Sequence, residues 1–210
     1  MATKPDLDAS NLYASIMEEI KVRILSINTL TNAKIGVPSP LVREFCFLQF
    51  RMTCELIALG CLVAHGDIEA TKSSSLQKAY KADEILKRLE ELHPDFYPVP
   101  RKPVFGENLV HLDDYGREFL TKDDLIQLYV KCGGVLHKGS LRKLIKPKSP
   151  LQINFPEINQ VGQKVLNLLS VHTISRIGGR FHFLTFLEAA QVNGNVLVSI
   201  AEGPHEAEQK

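Results

Sequence analysis

Apolar positions recur with helical spacing through most of the chain and change to alternation only near its end. Between Asn11 and Thr31, Leu12, Ile16, Ile20, Leu25 and Ile27 return near the helical period, and Met17, Ile24 and Leu30 widen the stripe. That spacing predicts an amphipathic first helix. Gly36, Pro38 and Pro40 then interrupt it, and Ser39 followed by Pro40 forms a cap and first-turn pair for a second helix. This helix is expected to reach about His65 and to stop at Gly66. Its sequence, LVREFCFLQFRMTCELIALGCLVAH, is apolar almost all round, the pattern of a central helix on which others pack.

The same periodicity continues beyond it. Ser74 and Gln77 have capping-box spacing, and Leu76, Tyr80, Leu86, Leu89 and Leu92 predict a third helix ending before Pro94. Residues 94–120 hold Pro94, Pro98, Pro100 and Pro103 with little periodicity, and read as a long irregular connection over the surface. Thr121 and Asp124 repeat the capping spacing ahead of Leu125, Leu128, Cys132 and Val135, a fourth helix. Ile158, Val161, Val165, Leu166 and Leu169 mark a fifth, from about Pro156 to Ser170. After residue 170 the segments VHTISRI, RFHFLTFLEA and NVLVSIA are rich in β-branched and aromatic residues, and Gly178-Gly179 and Asn193-Gly194 separate them as hairpin signals. The expected fold is therefore α+β and predominantly α. A bundle of about five helices spans 1–170, a three-stranded antiparallel meander packs on it over 171–202, and the polar tail 203–210 is flexible.

Composition narrows the chemistry. With 210 residues and 44% hydrophobic content the chain can bury one sizeable core. A net charge of +1 provides no global field, so binding to nucleic acid or to an acidic surface would need a local patch. Cys46, Cys54 and Cys61 share one apolar helix, where their sulfurs cannot reach one another, and Cys132 lies far away, so a reducing compartment fits. The start, MATKPDLDASN, lacks a secretory pattern. The longest apolar run, Met52 to Ala64, contains Glu55 and is shorter than the roughly 20 residues a bilayer span needs. The expectation is a cytoplasmic protein without a membrane partner.

Charge is segregated locally. Between Lys131 and Lys148 there are six Lys or Arg and no acid, whereas Asp83 to Asp124 holds eleven acids and six bases. The first segment makes Lys138, Arg142, Lys143, Lys146 and Lys148 candidate binding residues for RNA, a nucleotide or an acidic partner; the alternative is a solvated loop. Aromatic residues for base stacking are few there. On the second helix, Glu44, Arg51 and Glu55 fall within one arc, and Cys54, Cys61 and His65 in a neighbouring one. Arg51 and Glu55 are spaced i, i+4, so Glu44, Arg51, Glu55 and His65 are candidates for a buried polar network, or for a structural ion pair on a narrow wet stripe. Cys61 and His65 also have the i, i+4 spacing of two metal ligands, with Cys132 as a further one from elsewhere; small residues easing helix approach explain the pattern more simply. Neither a metal nor another cofactor is expected, and no P-loop, GxGxxG, HExxH, GxSxG or CxxC motif is present. His172 and His182 alternate with apolar residues on predicted strands, as on the wet face of a sheet.

The stretch YVKCGGVLHKGSLRK, in which a helix carries a basic residue and ends at a histidine after a bundle of amphipathic helices, resembles the late motif of the HEPN superfamily of small helical bundles. The resemblance covers that motif and the general helical plan. Members of that superfamily act as ribonucleases or as nucleotide-binding partners of nucleotidyltransferases. Their motif is an arginine, usually a polar residue after it, and then a histidine, and two copies meet across a dimer to cut RNA without metal. Here Lys131 and His137 take those positions, with Cys132 in the polar place. The resemblance implies His137 as general acid or base on the ribose 2′-hydroxyl, with Lys131, Lys138 and Arg142 holding phosphate. Lysine replaces the planar arginine fork by a point charge. On an unbroken helix, residues six apart lie about 240° around the axis, so Gly133 and Gly134 would have to unwind that turn to bring the pair together, or else they end the helix. Three readings follow: a binding module for RNA, a nucleotide or an acidic partner; a HEPN-like metal-independent ribonuclease; and a purely structural or protein-interaction role. A homodimer and a protein partner are both expected candidates.

Overall fold

The computed structural model describes residues 3–32, 36–66, 68–106, 110–137, 153–176 and 181–202. Helix α1, Lys4–Asn32, starts earlier than its apolar stripe, and Asp6 closes its first turn: its carboxylate accepts from the Thr3 amide and hydroxyl, at 2.7 and 2.6 Å. Its buried line is Ser10, Tyr13, Met17, Ile20, Ile24 and Ile27, in alternating steps of three and four. Leu12 and Leu25, part of the expected stripe, face outward instead. Tyr13 takes the inward place.

Helix α2, Ser39–Ala64, runs antiparallel to α1 and touches α4 and α5 on its other sides. Close approach to α1 depends on Gly60, where a Cβ would sit 3.2 Å from both Met17 and Tyr13 side-chain atoms. The expected hub is present, yet α2 is covered on three sides rather than four, and Leu41, Phe45 and Leu48 remain exposed. After a 3-10 turn at Glu69–Lys72, the expected third helix appears as two pieces, α3 at Ser74–Gln77 and α4 at Ala82–Leu92. On a continuous helix Leu76 would be out of phase with Ala82, Ile85, Leu86 and Leu89, and the break lets all five be buried. Ser73, not Ser74, occupies the cap position of α3, without a side-chain bond to the helix amides. Helices α5, Lys122–Leu136, and α6, Phe155–Leu169, are the remaining helices among the described residues.

Among the described residues the β part holds five strands where three were expected. Strands β1, Val99–Phe105, and β2, Val110–Asp114, come from the segment read as an irregular connection, and β3, Val171–Ser175, β4, Phe181–Phe186, and β5, Leu197–Glu202, from the expected meander. All pairings are antiparallel, in the order β2-β1-β3-β4-β5. The prolines of β1 had argued against a strand. They are tolerated because β1 meets β3 only at Val99 and Pro100 and β2 only from Arg101 onward, which leaves one side of it open along most of its length. The Asn193-Gly194 signal is a true turn, both residues having positive φ, 56° and 81°.

One face of the sheet lies on the helices. His172, Ile174, Phe183 and Thr185 point into the core. The fully buried His172 corrects the wet-face expectation for that residue, whereas His182 is partly exposed on the outer face. His172 Nδ1 donates to the Leu169 carbonyl at 3.0 Å, which leaves Nε2 to accept from the Tyr13 hydroxyl at 2.7 Å. A helix and a strand 159 residues apart are thus joined inside the core.

Candidate functional site

Helix α5 begins with the expected capping box. The Thr121 hydroxyl accepts from the Asp124 amide at 3.1 Å and the Asp124 carboxylate accepts from the Thr121 amide at 3.4 Å. From there α5 runs without interruption through Gly133 and Gly134 to Leu136, and His137 is its C-terminal cap, its amide donating to the Gly133 carbonyl. The glycines neither unwind the turn nor end the helix before His137. Lys131 and His137 therefore stay on different faces of one chain. Lys131 turns toward α6, paired with the Glu157 carboxylate and 5.8 Å above the Phe47 ring, while His137 is exposed. Lys138, Arg142, Lys143, Lys146 and Lys148 lie outside the described residues.

Lys131 stands at the mouth of a cleft of about 270 Å³ between α2, α5 and α6. Phe47, Phe50, Leu128 and Ile158 form its floor, and Asp124, Lys131, Glu157 and Lys164 its charged rim. Lys164 reaches Glu118 at 3.4 Å and Asp124 at 3.9 Å. Such part-exposed pairs contribute about 1 kcal/mol or less, so an incoming anion can exchange with these carboxylates at little cost. An apolar floor beneath exchangeable lysines suits a ligand with a flat apolar body and an anionic group. Neither the cleft nor Lys164 had a signal in the linear sequence, because α5 and α6 meet only through the fold.

The other candidate residues divide into two groups. Arg51 Nε lies 3.3 Å from the Glu55 carboxylate, and its Nη2 donates to the Tyr129 hydroxyl at 3.1 Å. That hydroxyl donates to Glu55 at 3.1 Å, closing a triangle, and the guanidinium sits 4.7 Å over the Tyr129 ring. Burial, reinforced by the bond to Glu55, pushes the Tyr129 phenol up to about 12. Tyr129 was missed in the sequence because it reads as one more core position of α5. Glu44 lies two turns before Arg51 and is half-buried. His65 joins a different neighbourhood. Its Nδ1 faces the Cys61 carbonyl at 2.7 Å and its Nε2 the Ser175 carbonyl at 2.9 Å. His93 Nε2 approaches the same Ser175 oxygen at 3.2 Å, and His182 Nδ1 lies 3.1 Å from the Ser175 hydroxyl, so three histidines gather round one residue of β3. Carbonyl oxygens only accept, so both His65 contacts are hydrogen bonds only when both ring nitrogens carry protons.

All four cysteines are buried and free. Burial pushes the Cys46 thiol up to about 11 and Cys132 to about 12, and raises Cys54 and Cys61 as well. Among the described residues no group of three or more His, Cys, Asp or Glu is arranged to hold a metal ion. The ring of His65 is turned to backbone carbonyls rather than to sulfur.

Comparison with known proteins adds nothing to this geometry. No family model, curated protein or solved structure matches the chain. The side chains of the site carry the functional argument alone.

Proposed function

We propose that the protein is a binding module for a phosphate-bearing partner, RNA or a nucleotide, held by the cations from Lys131 to Lys148 and by the cleft beside Lys131. The observation that carries this reading is the placement of Lys131. Its ammonium stands at the mouth of an apolar cleft floored by two phenylalanines, at the end of the helix from which the cationic run continues in sequence. Among the described residues its ionic tie is the exposed pair with Glu157. The rim of the cleft is itself near neutrality, so the net attraction would come from the five cations after His137.

The test is titration of labelled single-stranded RNA and of a nucleoside triphosphate over a salt series. Binding should weaken steeply with salt, and neutralising Lys143, Lys146 and Lys148 together should lower the slope of log K against log salt by about 2. Lys131→Ala should weaken binding about 3- to 10-fold. His137→Ala should leave binding unchanged. RNA cleavage that persists in EDTA and disappears in His137→Ala would favour the ribonuclease reading, and neither binding nor cleavage would leave an interaction role.

A further inference from the structure

The open face of α2 is itself patterned. Leu41, Phe45, Leu48, Met52, Glu55, Leu59 and Leu62 succeed one another in unbroken steps of four and three. That is the heptad period by which one helix meets another along a seam. The side of α2 that faces the core uses other residues, Val42, Cys46, Phe50, Thr53, Ile57 and Gly60 among them. Eight of the thirteen large apolar side chains exposed among the described residues fall between Leu7 and Leu48, so exposed apolar surface is concentrated on α1 and the first half of α2. There Val22, Leu25 and Phe45 line a groove of about 420 Å³.

We infer that this face binds a second copy of the chain, with the two α2 helices antiparallel across a two-fold axis near Met52. Three features of the surface select that occupant. The two ends of the seam are complementary: the exposed end is grooved by Val22, Leu25 and Phe45, and the other presents Leu59 and Leu62 as part-exposed ridges, so an antiparallel partner seats each ridge in the opposite groove. The one charged member, Glu55, gives direction. A parallel pairing would bring the two Glu55 residues, each held by Arg51 and Tyr129 of its own chain, to the same level of the seam. The antiparallel pairing separates them by about 9 Å along the axis and brings the two Arg51–Glu55 pairs side by side as a neutral cluster. The size also fits. Residues 41–62 span about 33 Å of helix, and with α1 alongside at about 10 Å the face amounts to roughly 650 Å², close to the ~800 Å² each partner gives to a specific interface.

The full-length chain tests this directly. Light scattering behind size-exclusion chromatography at micromolar concentrations should give a dimer. Leu48→Glu should raise the dimer dissociation constant about a hundredfold or more, since it would bury an unpaired charge, and the variant should keep the circular dichroism and melting of the parent because Leu48 is exposed in the monomer. Met52→Cys should be joined to its twin by a short bismaleimide, and Val130→Cys, on the exposed side of α5, should not; the four native thiols are buried and silent in the assay. A monomeric parent, a dimer that survives Leu48→Glu, or equal cross-linking at the two positions each overturns the inference. So does a monomer that co-sediments with phospholipid vesicles, which would give the apolar face to lipid instead.

Discussion

His172 makes the sharpest statement at the scale of a single side chain. Burial holds its imidazole down to about 4, against the opposite pull of the bond from Nδ1 to the Leu169 carbonyl. In the unfolded chain the same ring titrates near 6.5. Between those values the unfolded state takes up a proton that the folded state refuses, so unfolding is favoured as the pH falls. The contribution is complete above about 6.5 and is lost progressively down to about 4, amounting to ~3 kcal/mol. Urea unfolding at pH 7 and pH 4.5 should show most of that difference, and His172→Gln should flatten it whatever the variant costs at neutral pH. Asp6 acts in a lower window. The hydroxyl and amide of Thr3, and then Arg176, hold it at about 2, so its stabilisation is present above the ordinary carboxylate value and disappears as the pH falls through 2. The thiols give a third check. With all four buried and their ionisation pushed upward, Ellman's reagent should find none of them in the native protein within minutes and all four in guanidinium.

Single elements show what could be read from the chain and what could not. The capping box of α5 was legible because Thr121 and Asp124 need only local geometry, and its removal is equally local: Thr121→Ala should lower unfolding free energy by about 1 kcal/mol in a chemical denaturation, with little change at the cleft. The buried line of α1 was legible at Met17, Ile20, Ile24 and Ile27 but not at Tyr13, in whose place the expected stripe puts Leu12. Tyr13 is as apolar as leucine over most of its surface, and only its hydroxyl needs a partner, which His172 supplies from far along the chain. The split between α3 and α4 and the two strands of β1 and β2 were hidden for a related reason. Each breaks a local preference, helix continuity in one case in return for burial, and the rarity of proline in strands in the other in return for cross-strand pairing, which for β1 and β3 exists only once distant elements are in place. The candidate site follows the same division. Lys131 and the i, i+4 pair of Arg51 and Glu55 stood out by spacing, whereas Tyr129, Lys164 and the floor of the cleft did not.

Across the whole molecule, helices lie on one side of a five-stranded sheet, α2 is their hub, and one strip of that hub is left open. Lys131, with the cleft beside it, and the proposed dimer seam use different surfaces, the end of α5 and the outer side of α2, so Leu48→Glu should leave affinity for RNA per chain unchanged. A change in that affinity would mean that the two surfaces communicate. The pairing of β1 with β3 has a consequence of its own. Val99 and Pro100 find their partners at Thr173 and His172, more than seventy positions later. During synthesis the first hairpin strand must wait, unpaired on one margin, while α5 and α6 leave the ribosome. A nascent chain halted before residue 171 would lack both that partner and the ring that engages Tyr13. The helices and the sheet are therefore assembled as one cooperative unit, and limited proteolysis between them should release no fragment that keeps its shape.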